Sequence, residues 1–184
     1  DLNRVDGMLL TRALEDDRAL QYLSQANFPT ALTGTCRYDN IIQVDTDNEG
    51  AAEKMTTLLI GKGFRRFAFL VKDMSYNVDR KRHEGFCRAL IKNGISEKDQ
   101  LFYNGSIRME FLDAIIENII SKKVECIICG DDEICTMVMS RLQAEGYRIP
   151  KDVAIASLYN STNLDCYSPA VTAVSVAASQ MVRS

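Results

Sequence analysis

The most regular hydrophobic pattern in the chain lies in its second half. Residues 126–129 are a short apolar run, which predicts a strand buried on both faces. From Glu133 onward, apolar residues recur at helical spacing as far as Gly146, and Pro150 prevents the helix from resuming. Residues 152–157 predict a second buried strand. A strand, a crossover helix and a strand of this length form a right-handed parallel βαβ unit.

Strands and helices alternate along the rest of the chain as well, which predicts an α/β fold built on parallel sheets. The chain begins directly with a predicted strand and ends inside a predicted helix, so we expect a fold that is incomplete at both termini. The other predicted strands are residues 5–10, 28–33, 41–44, 66–71, 101–103 and 171–176, and the other predicted helices are residues 14–26, 50–60, 78–93, 110–121 and 177–184.

Composition narrows the class of protein. The chain has 22 Lys and Arg against 25 Asp and Glu, a net charge of -3, so it has no overall positive field to hold a nucleic acid. A hydrophobic fraction of 46% indicates a folded globular protein. The six cysteines lie mostly within apolar runs, where reduced cysteine packs as a small apolar residue, and this favours the cytoplasm. The sequence shows no transmembrane stretch, so we expect no membrane partner.

Five segments in register carry a family resemblance. The chain resembles the effector-binding core of the lactose-repressor and purine-repressor family of bacterial transcription regulators, whose members look like periplasmic sugar-binding proteins. The resemblance implies two Rossmann-like parallel-sheet subdomains with a ligand cleft between them. The segments are VDGMLLT, VDTDNEGAAEKMTTLLIGKGFRRFAFL, DRKRHEGFCRALIKNGI, CIICGDDEICTMVMSRLQAEGYRIPKDVAI and SPAVTAVSV.

The resemblance also implies how the chain is divided. Residues 1–63 belong to the N-terminal subdomain and residues 64–160 to the C-terminal one, while residues 161–184 cross back, so that the strand after Pro169 returns to the first subdomain. In this family the DNA-binding helix-turn-helix lies upstream of the core. We therefore expect DNA to be a partner only through that upstream segment, which is absent here.

The ligand site is predicted from the strand ends. In open α/β sheets, ligands bind outside the carboxyl ends of the strands, where loops from several strands meet. A small molecule held in the cleft, sugar-like or nucleobase-like, would contact both subdomains and change the angle between them. The residues that this rule selects are Thr11, Arg12, the loop 34–37 with Arg37, the loop 72–77 with Asn77, Arg82, Asp131, Tyr159 and Asn160.

Arg82 is the first candidate among these residues. It lies near the amino terminus of a predicted helix, where a cation opposes the helix dipole and a polar or anionic partner is needed. In the family, the arginine three residues before the Gly-Phe pair, here Gly85 and Phe86, contacts the effector. The alternative is that Arg82 only forms an internal ion pair, for example with Asp131.

Two further candidates have alternative interpretations. We expect Asp132 to cap the following helix, while Asp131, where the family commonly has Asn, points into the cleft. An acidic pair could also mark a magnesium or phosphoryl-acceptor site, but the order of residues in a receiver domain is absent, and we expect no metal. Tyr159 occupies a place where the family usually has Asp or Asn. Its ring could stack on a sugar or base, or simply fill the cleft.

The remaining reactive residues do not form a recognisable catalytic set. Cys126 and Cys129 are three apart in one strand, so they face opposite sides and cannot chelate zinc together. His83 has no nucleophile in a recognisable elbow, and no Gly-rich phosphate loop follows a strand. We therefore predict no enzymatic activity, no metal and no cofactor.

The sequence thus predicts the effector-sensing domain of a cytoplasmic transcription regulator. We also expect a two-fold homodimer through the helix 132–145 and the loop 163–168, where the family pairs its subunits. Two alternatives are a periplasmic sugar-binding protein of a transport system and a doubly wound α/β enzyme. The first conflicts with six cysteines that the apolar pattern predicts to be mostly buried, and the second lacks a nucleophile or cofactor loop.

Overall fold

Two parallel β-sheets organise the chain. The computed structural model describes residues 5–105 and 109–175, so the helix predicted at 177–184 lies outside the described residues. The first sheet has three strands and the second has five, and every strand pair in both is parallel. The first comprises β1 (Met8–Leu10), β2 (Thr30–Thr33) and β3 (Ile42–Val44), and the second comprises β4 (Phe67–Leu70), β5 (Leu101–Tyr103), β6 (Cys126–Cys129), β7 (Ala154–Ser157) and β8 (Thr172–Ala173), in the order β5-β4-β6-β7-β8.

Helices connect these strands, and the alternation that the sequence predicts is confirmed. The βαβ unit of the second half is present as predicted, because β6 and β7 pair in parallel and a helix connects them. The helices are α1 (Arg18–Gln25), α2 (Asn48–Gly61), α3 (Asn77–Lys92), α4 (Met109–Ser121), α5 (Asp132–Ala144) and the short α6 (Thr162–Asp165).

The second sheet is covered on both faces. Its central strands are fully buried, which explains their continuous apolar runs. Phe67, Phe69 and Cys126 pack with α2 and α3 on one face, whereas Ile127 and Cys129 pack with α4 and α5 on the other. Cys126 and Cys129 therefore lie in separate cores, as their spacing predicts.

The helix α2 belongs with the second sheet, although it follows the first sheet in the chain. Its buried residues Ala52, Met55 and Leu59 pack in the same core as Phe86 of α3. At Gly85 the two helices come so close that an added Cβ would overlap the carbonyl oxygen of Glu49. A larger residue at this position would push the helices apart.

The structure differs from the predicted division of the chain in two places. The stretch predicted as residues 1–63 of one subdomain includes α2, which packs on the other sheet because its apolar stripe is buried there. The strand after Pro169 does not return to the first sheet, because β8 pairs with β7. We therefore propose a first lobe of residues 5–46 and a second lobe of residues 47–175.

The first lobe has a smaller core. Leu20 of α1 packs there with Ala13, Leu32 and Ile41. The helix α1 begins at Arg18, four residues later than predicted, because the carboxylate of Asp17 accepts hydrogen bonds from the first free backbone N–H groups.

Candidate functional site

A cavity of about 690 Å³ lies between the two lobes, at the carboxyl ends of both sheets. The loops after β1, β2 and β3 line one side of it. The loops after β4, β6 and β7 line the other, together with the first two turns of α3 and the first turn of α5. Of the eight predicted site residues, seven line this cavity. They are Thr11, Arg12, Asn77, Arg82, Asp131, Tyr159 and Asn160.

Arg37 is the predicted residue that the structure places elsewhere. Its side chain is 60% exposed and forms an ion pair of 3.2 Å with Asp16. A hydrogen bond from the Arg37 guanidinium to the hydroxyl of Tyr38 raises the pKa of Arg37. Gly34, with a φ of 132°, turns the chain at the end of β2, so Thr33 and Gly34 reach the cavity and Arg37 points away from it.

Arg82 is the most unusual side chain in the cavity. Only 8% of the residue is exposed. Its Nη1 lies 3.9 Å from Oδ1 of Asp79, too far for a hydrogen bond. Its Nε is buried and has no hydrogen-bond partner among the described residues. Burial lowers the pKa of Arg82, and the carboxylates of Asp79, Asp131 and Asp45 partly oppose that effect. A buried donor without a partner is costly, so Arg82 is prepared for an acceptor that a ligand would bring.

Asp131 is already engaged by two partners. Its Oδ1 accepts a hydrogen bond of 2.9 Å from the backbone N–H of Ile134, and its Oδ2 lies 2.9 Å from Nζ of Lys72. The expectation that Asp132 caps α5 is therefore wrong, because Asp131 is the cap and Asp132 is the first residue of the helix. The suggested ion pair between Arg82 and Asp131 is replaced by the pair between Lys72 and Asp131.

Lys72 joins two acidic side chains at the cavity wall. Its Nζ lies 2.5 Å from Oε2 of Glu133 in addition to its contact with Asp131. Partial burial alone would lower the pKa of Lys72, but the hydrogen bonds with Glu133 and Asp131 outweigh it and raise the pKa. Lys72 is therefore charged at neutral pH and committed to its protein partners.

The structure adds two acidic residues that the sequence reasoning missed. Asp79 is 7% exposed and its Oδ2 accepts a hydrogen bond from the backbone N–H of Asp73, while burial raises its pKa. Its spacing of three residues before Arg82 on one helix face could have revealed it. Asp45 directly follows β3, so applying the strand-end rule to that strand as well would have selected it.

Direct contacts join the two lobes along one side of the cavity. The backbone N–H of Glu15 donates to the carbonyl of Ser75 over 3.0 Å, and Nδ2 of Asn77 donates to the carbonyl of Thr35 over 2.7 Å. Oδ2 of Asp45 lies 3.5 Å from Nζ of Lys81. The two lobes are therefore held against each other around the cavity.

Tyr159 and Asn160 approach from the end of β7. Tyr159 is 41% exposed. The side-chain amide of Asn160 donates to Asp165 over 2.9 Å, and its backbone N–H donates to the carbonyl of Val174. Asn160 is thus fixed by its own lobe, and the Tyr159 ring is the more available contact for a ligand.

The remaining candidate features concern metal binding, His83 and membrane insertion. Within residues 5–105 and 109–175, no group of three or more His, Cys, Asp or Glu side chains is placed to hold a metal ion. His83 packs against Phe69 and Phe102, with ring centroids 5.9 Å and 4.2 Å apart. No helix in this part of the chain has the length and apolar character needed to cross a membrane.

Known proteins share this fold and this sequence pattern. The family of periplasmic binding protein-like domains matches residues 56–184, and the chain belongs to that family. Catabolite control protein A from Staphylococcus xylosus is 25% identical over 172 residues, which cover 93% of this chain and 52% of that protein. The chain thus spans about half the length of the curated relatives that it matches.

Solved structures of transcription regulators are similar along almost the whole chain. A putative transcriptional regulator LacI from Bacillus cereus subsp. cytotoxis has a TM-score of 0.88 and 31% identity, with 97% of this chain and 65% of that chain covered. A complex of the transcriptional regulator CelR with cellobiose has a TM-score of 0.84 and 27% identity, with 98% and 57% covered. The predicted family resemblance and the periplasmic-binding-protein-like fold are confirmed.

Proposed function

We propose that this chain is the effector-sensing core of a bacterial transcription regulator, and that its effector binds in the cavity between the two lobes. The curated relatives and solved structures that it matches are transcription regulators. The regulator CelR, a structural relative, was solved with cellobiose. A small polyhydroxylated molecule of that kind fits a cavity of about 690 Å³.

The buried guanidinium of Arg82 is the observation that carries the proposal. Its Nε has no hydrogen-bond partner among the described residues, and only 10% of the side chain is exposed to water. Removing a charged donor from water without a partner costs about 1–3 kcal/mol or more, so such a group persists where a function needs it. A ligand hydroxyl can accept from Nε and donate to the nearby Asp79 carboxylate at the same time.

The mechanism follows from the division of the cavity walls. Arg12, Thr33 and Asp45 come from the first lobe, whereas Arg82, Asp131 and Tyr159 come from the second. A ligand that contacts both walls binds the closed arrangement better than an open one, so it shifts the population of lobe angles. A DNA-binding segment outside this chain would respond to that angle, which makes DNA an indirect partner.

Two further proposals concern the state of the protein in the cell. All six cysteines are free, which supports a reducing compartment and thus the cytoplasm. We also propose a homodimer through α5 and the loop 163–168, because Met137 and Tyr167 remain partly exposed there. Sedimentation of the full-length protein should give a dimer that Tyr167→Glu weakens.

We infer no catalytic role. The relatives are regulators, and the thiol that lies next to His83 is not activated. The Cys87 Sγ is 3.5 Å from Nε2 of His83, but burial raises the pKa of Cys87 to about 11. A nucleophilic cysteine needs a lowered pKa, so this pair lacks the required electrostatics.

Operator retention by the full-length regulator tests the proposal. A labelled operator duplex is titrated with the protein while a panel of neutral monosaccharides and disaccharides, cellobiose included, is added. We expect at least one sugar to change operator affinity and to raise the melting temperature of this chain as well. A sugar that binds tightly without any change in operator affinity would instead favour a transport-type binding protein.

A further inference from the structure

The charged side chains around Arg82 indicate which class of ligand the cavity accepts. Three carboxylates, those of Asp45, Asp79 and Asp131, line the cavity with Arg82 and act on its charge. We call these three residues the acidic wall. Arg12 is the other cation that acts on Arg82. The positive charge of Arg82 is therefore more than balanced before any ligand arrives.

The other cations around the described cavity reduce its negative charge without cancelling it. Lys81, which does not line the cavity, lies 3.5 Å from Asp45. Lys72 is already bound to both Asp131 and Glu133. Arg12 lies at the exposed rim with its guanidinium carbon 5.3 Å from the Tyr76 ring centroid, where water and salt screen it. In all, five carboxylates and three cations line the described part of the cavity. Arg82 is thus a hydrogen-bond donor without a surplus of positive charge around it.

We propose that the acidic wall makes the cleft select uncharged polyhydroxylated ligands and reject phosphorylated ones, with Asp45 and Asp131 as specificity-determining residues. The proposal rests on the proposed function for the identity of the site, and it adds the charge of the ligand. Ligand hydroxyls both donate and accept, so they can satisfy the unpartnered Nε of Arg82 and the carboxylates together.

A phosphate group offers the wrong chemistry for the same wall. It brings a charge of about −1.5 to −2 and oxygens that mainly accept hydrogen bonds. It would accept a hydrogen bond from Nε of Arg82, but it would also lie close to the buried carboxylate of Asp79 and to the other two carboxylates of the acidic wall. Like charges brought together in a partly desolvated site repel strongly, so the phosphorylated ligand is excluded.

Inorganic phosphate provides a direct probe because it needs no knowledge of the natural effector. The melting temperature of the chain is followed against phosphate concentration, with sodium chloride at equal ionic strength as the reference. We expect no rise above the chloride reference for the wild type. The variant Asp45→Asn/Asp131→Asn should gain a phosphate-dependent rise, since removing one carboxylate within about 10 Å of a bound anion strengthens binding roughly tenfold.

The substitutions preserve the local structure. Asn is also a good helix cap, so the side chain in Asp131→Asn can still accept the hydrogen bond from the backbone N–H of Ile134. In the same way, Asn at position 45 can still accept from the backbone N–H of Thr46. If the double variant does not fold, each single variant should show part of the gain. Adding Arg82→Met to either background should abolish it.

Two results would overturn the proposal. One is a phosphate-dependent rise in the melting temperature of the wild-type chain, above the chloride reference, that disappears in Arg82→Met. The other is a folded double variant that gains no phosphate response. Neither readout uses DNA or a sugar. A failure of sugars to change operator affinity would count against the proposed function, while the phosphate series would still decide whether the cavity selects by charge.

Discussion

Gly85→Ala is the substitution for which the structure makes its most definite stability prediction. Gly85 lies within α3, where α3 crosses α2. A Cβ at this position would overlap the carbonyl oxygen of Glu49 and would come within 2.9 Å of its carbonyl carbon and 3.0 Å of the Ala52 Cβ. The obstacle is backbone, so no side-chain rotation can relieve it, and α2 and α3 must separate.

Two opposing effects set the size of the loss. Replacing glycine by alanine inside a helix stabilises it by about 0.5–1 kcal/mol. Overpacking a tight contact costs about 1–3 kcal/mol, and a clash with backbone belongs at the upper end. We therefore expect a net loss of about 2 kcal/mol in the free energy of unfolding. For a chain of this size that lowers the melting temperature by about 4–8 °C.

Gly61→Ala is the matched control. Gly61 is the last residue of α2, and nothing lies within 4 Å of the position that its Cβ would take. The same substitution should leave stability unchanged or raise it slightly, by up to about 1 kcal/mol. Thermal unfolding followed by circular dichroism measures both variants. A Gly85→Ala protein as stable as the wild type would refute the close packing of α2 on α3.

Two other predictions concern titratable groups. Hydrogen bonds from Arg148 lower the pKa of Asp152 to about 2 from its ordinary 3.8. Because the pKa is lower in the folded state, the stability from this pair is present above about pH 4 and is lost as the pH falls toward 2. The difference in urea midpoint between wild type and Asp152→Asn should therefore shrink over that range. A constant difference would contradict this prediction. Burial raises the pKa of Cys87 to about 11, whereas Cys166 is exposed. In the chain diluted until it is monomeric, so that the loop 163–168 is uncovered, iodoacetamide should therefore label Cys166 before Cys87, as mass spectrometry of the peptides can show. The reverse order would contradict the half-buried position of Cys87.

Periodicity was sufficient to predict the order of the strands and helices, because the two layers of helices bury both faces of the second sheet. It could not assign α2 to a lobe. The apolar stripe of α2 would fit either sheet, and only the packing of Met55 and Leu59 with Phe86 decides between them. For the same reason the partner of β8 could not be known in advance, since a strand of two residues carries almost no pattern.

The strand-end rule located the cavity but not the contacts inside it. It selected Arg37 because that residue follows β2, yet the turn at Gly34 directs Arg37 into solvent. It selected Asp131 correctly, but the sequence alone could not show that Lys72 and the amino terminus of α5 occupy its two oxygens. Side-chain pairing across the cavity depends on distances between elements that are far apart in the chain.

The effector response of an Arg82→Met regulator tests the account most directly. Operator affinity of the full-length protein is measured with and without the sugar to which the wild type responds, and Arg37→Ala serves as the control, since Arg37 is exposed and outside the cavity. Truncating one partner of a buried charged hydrogen bond costs about 2–5 kcal/mol, which is roughly 30-fold or more in effector affinity. We predict that Arg82→Met keeps its operator affinity and loses the response, while Arg37→Ala keeps both. An unchanged response in Arg82→Met would contradict the claim that Arg82 holds the effector.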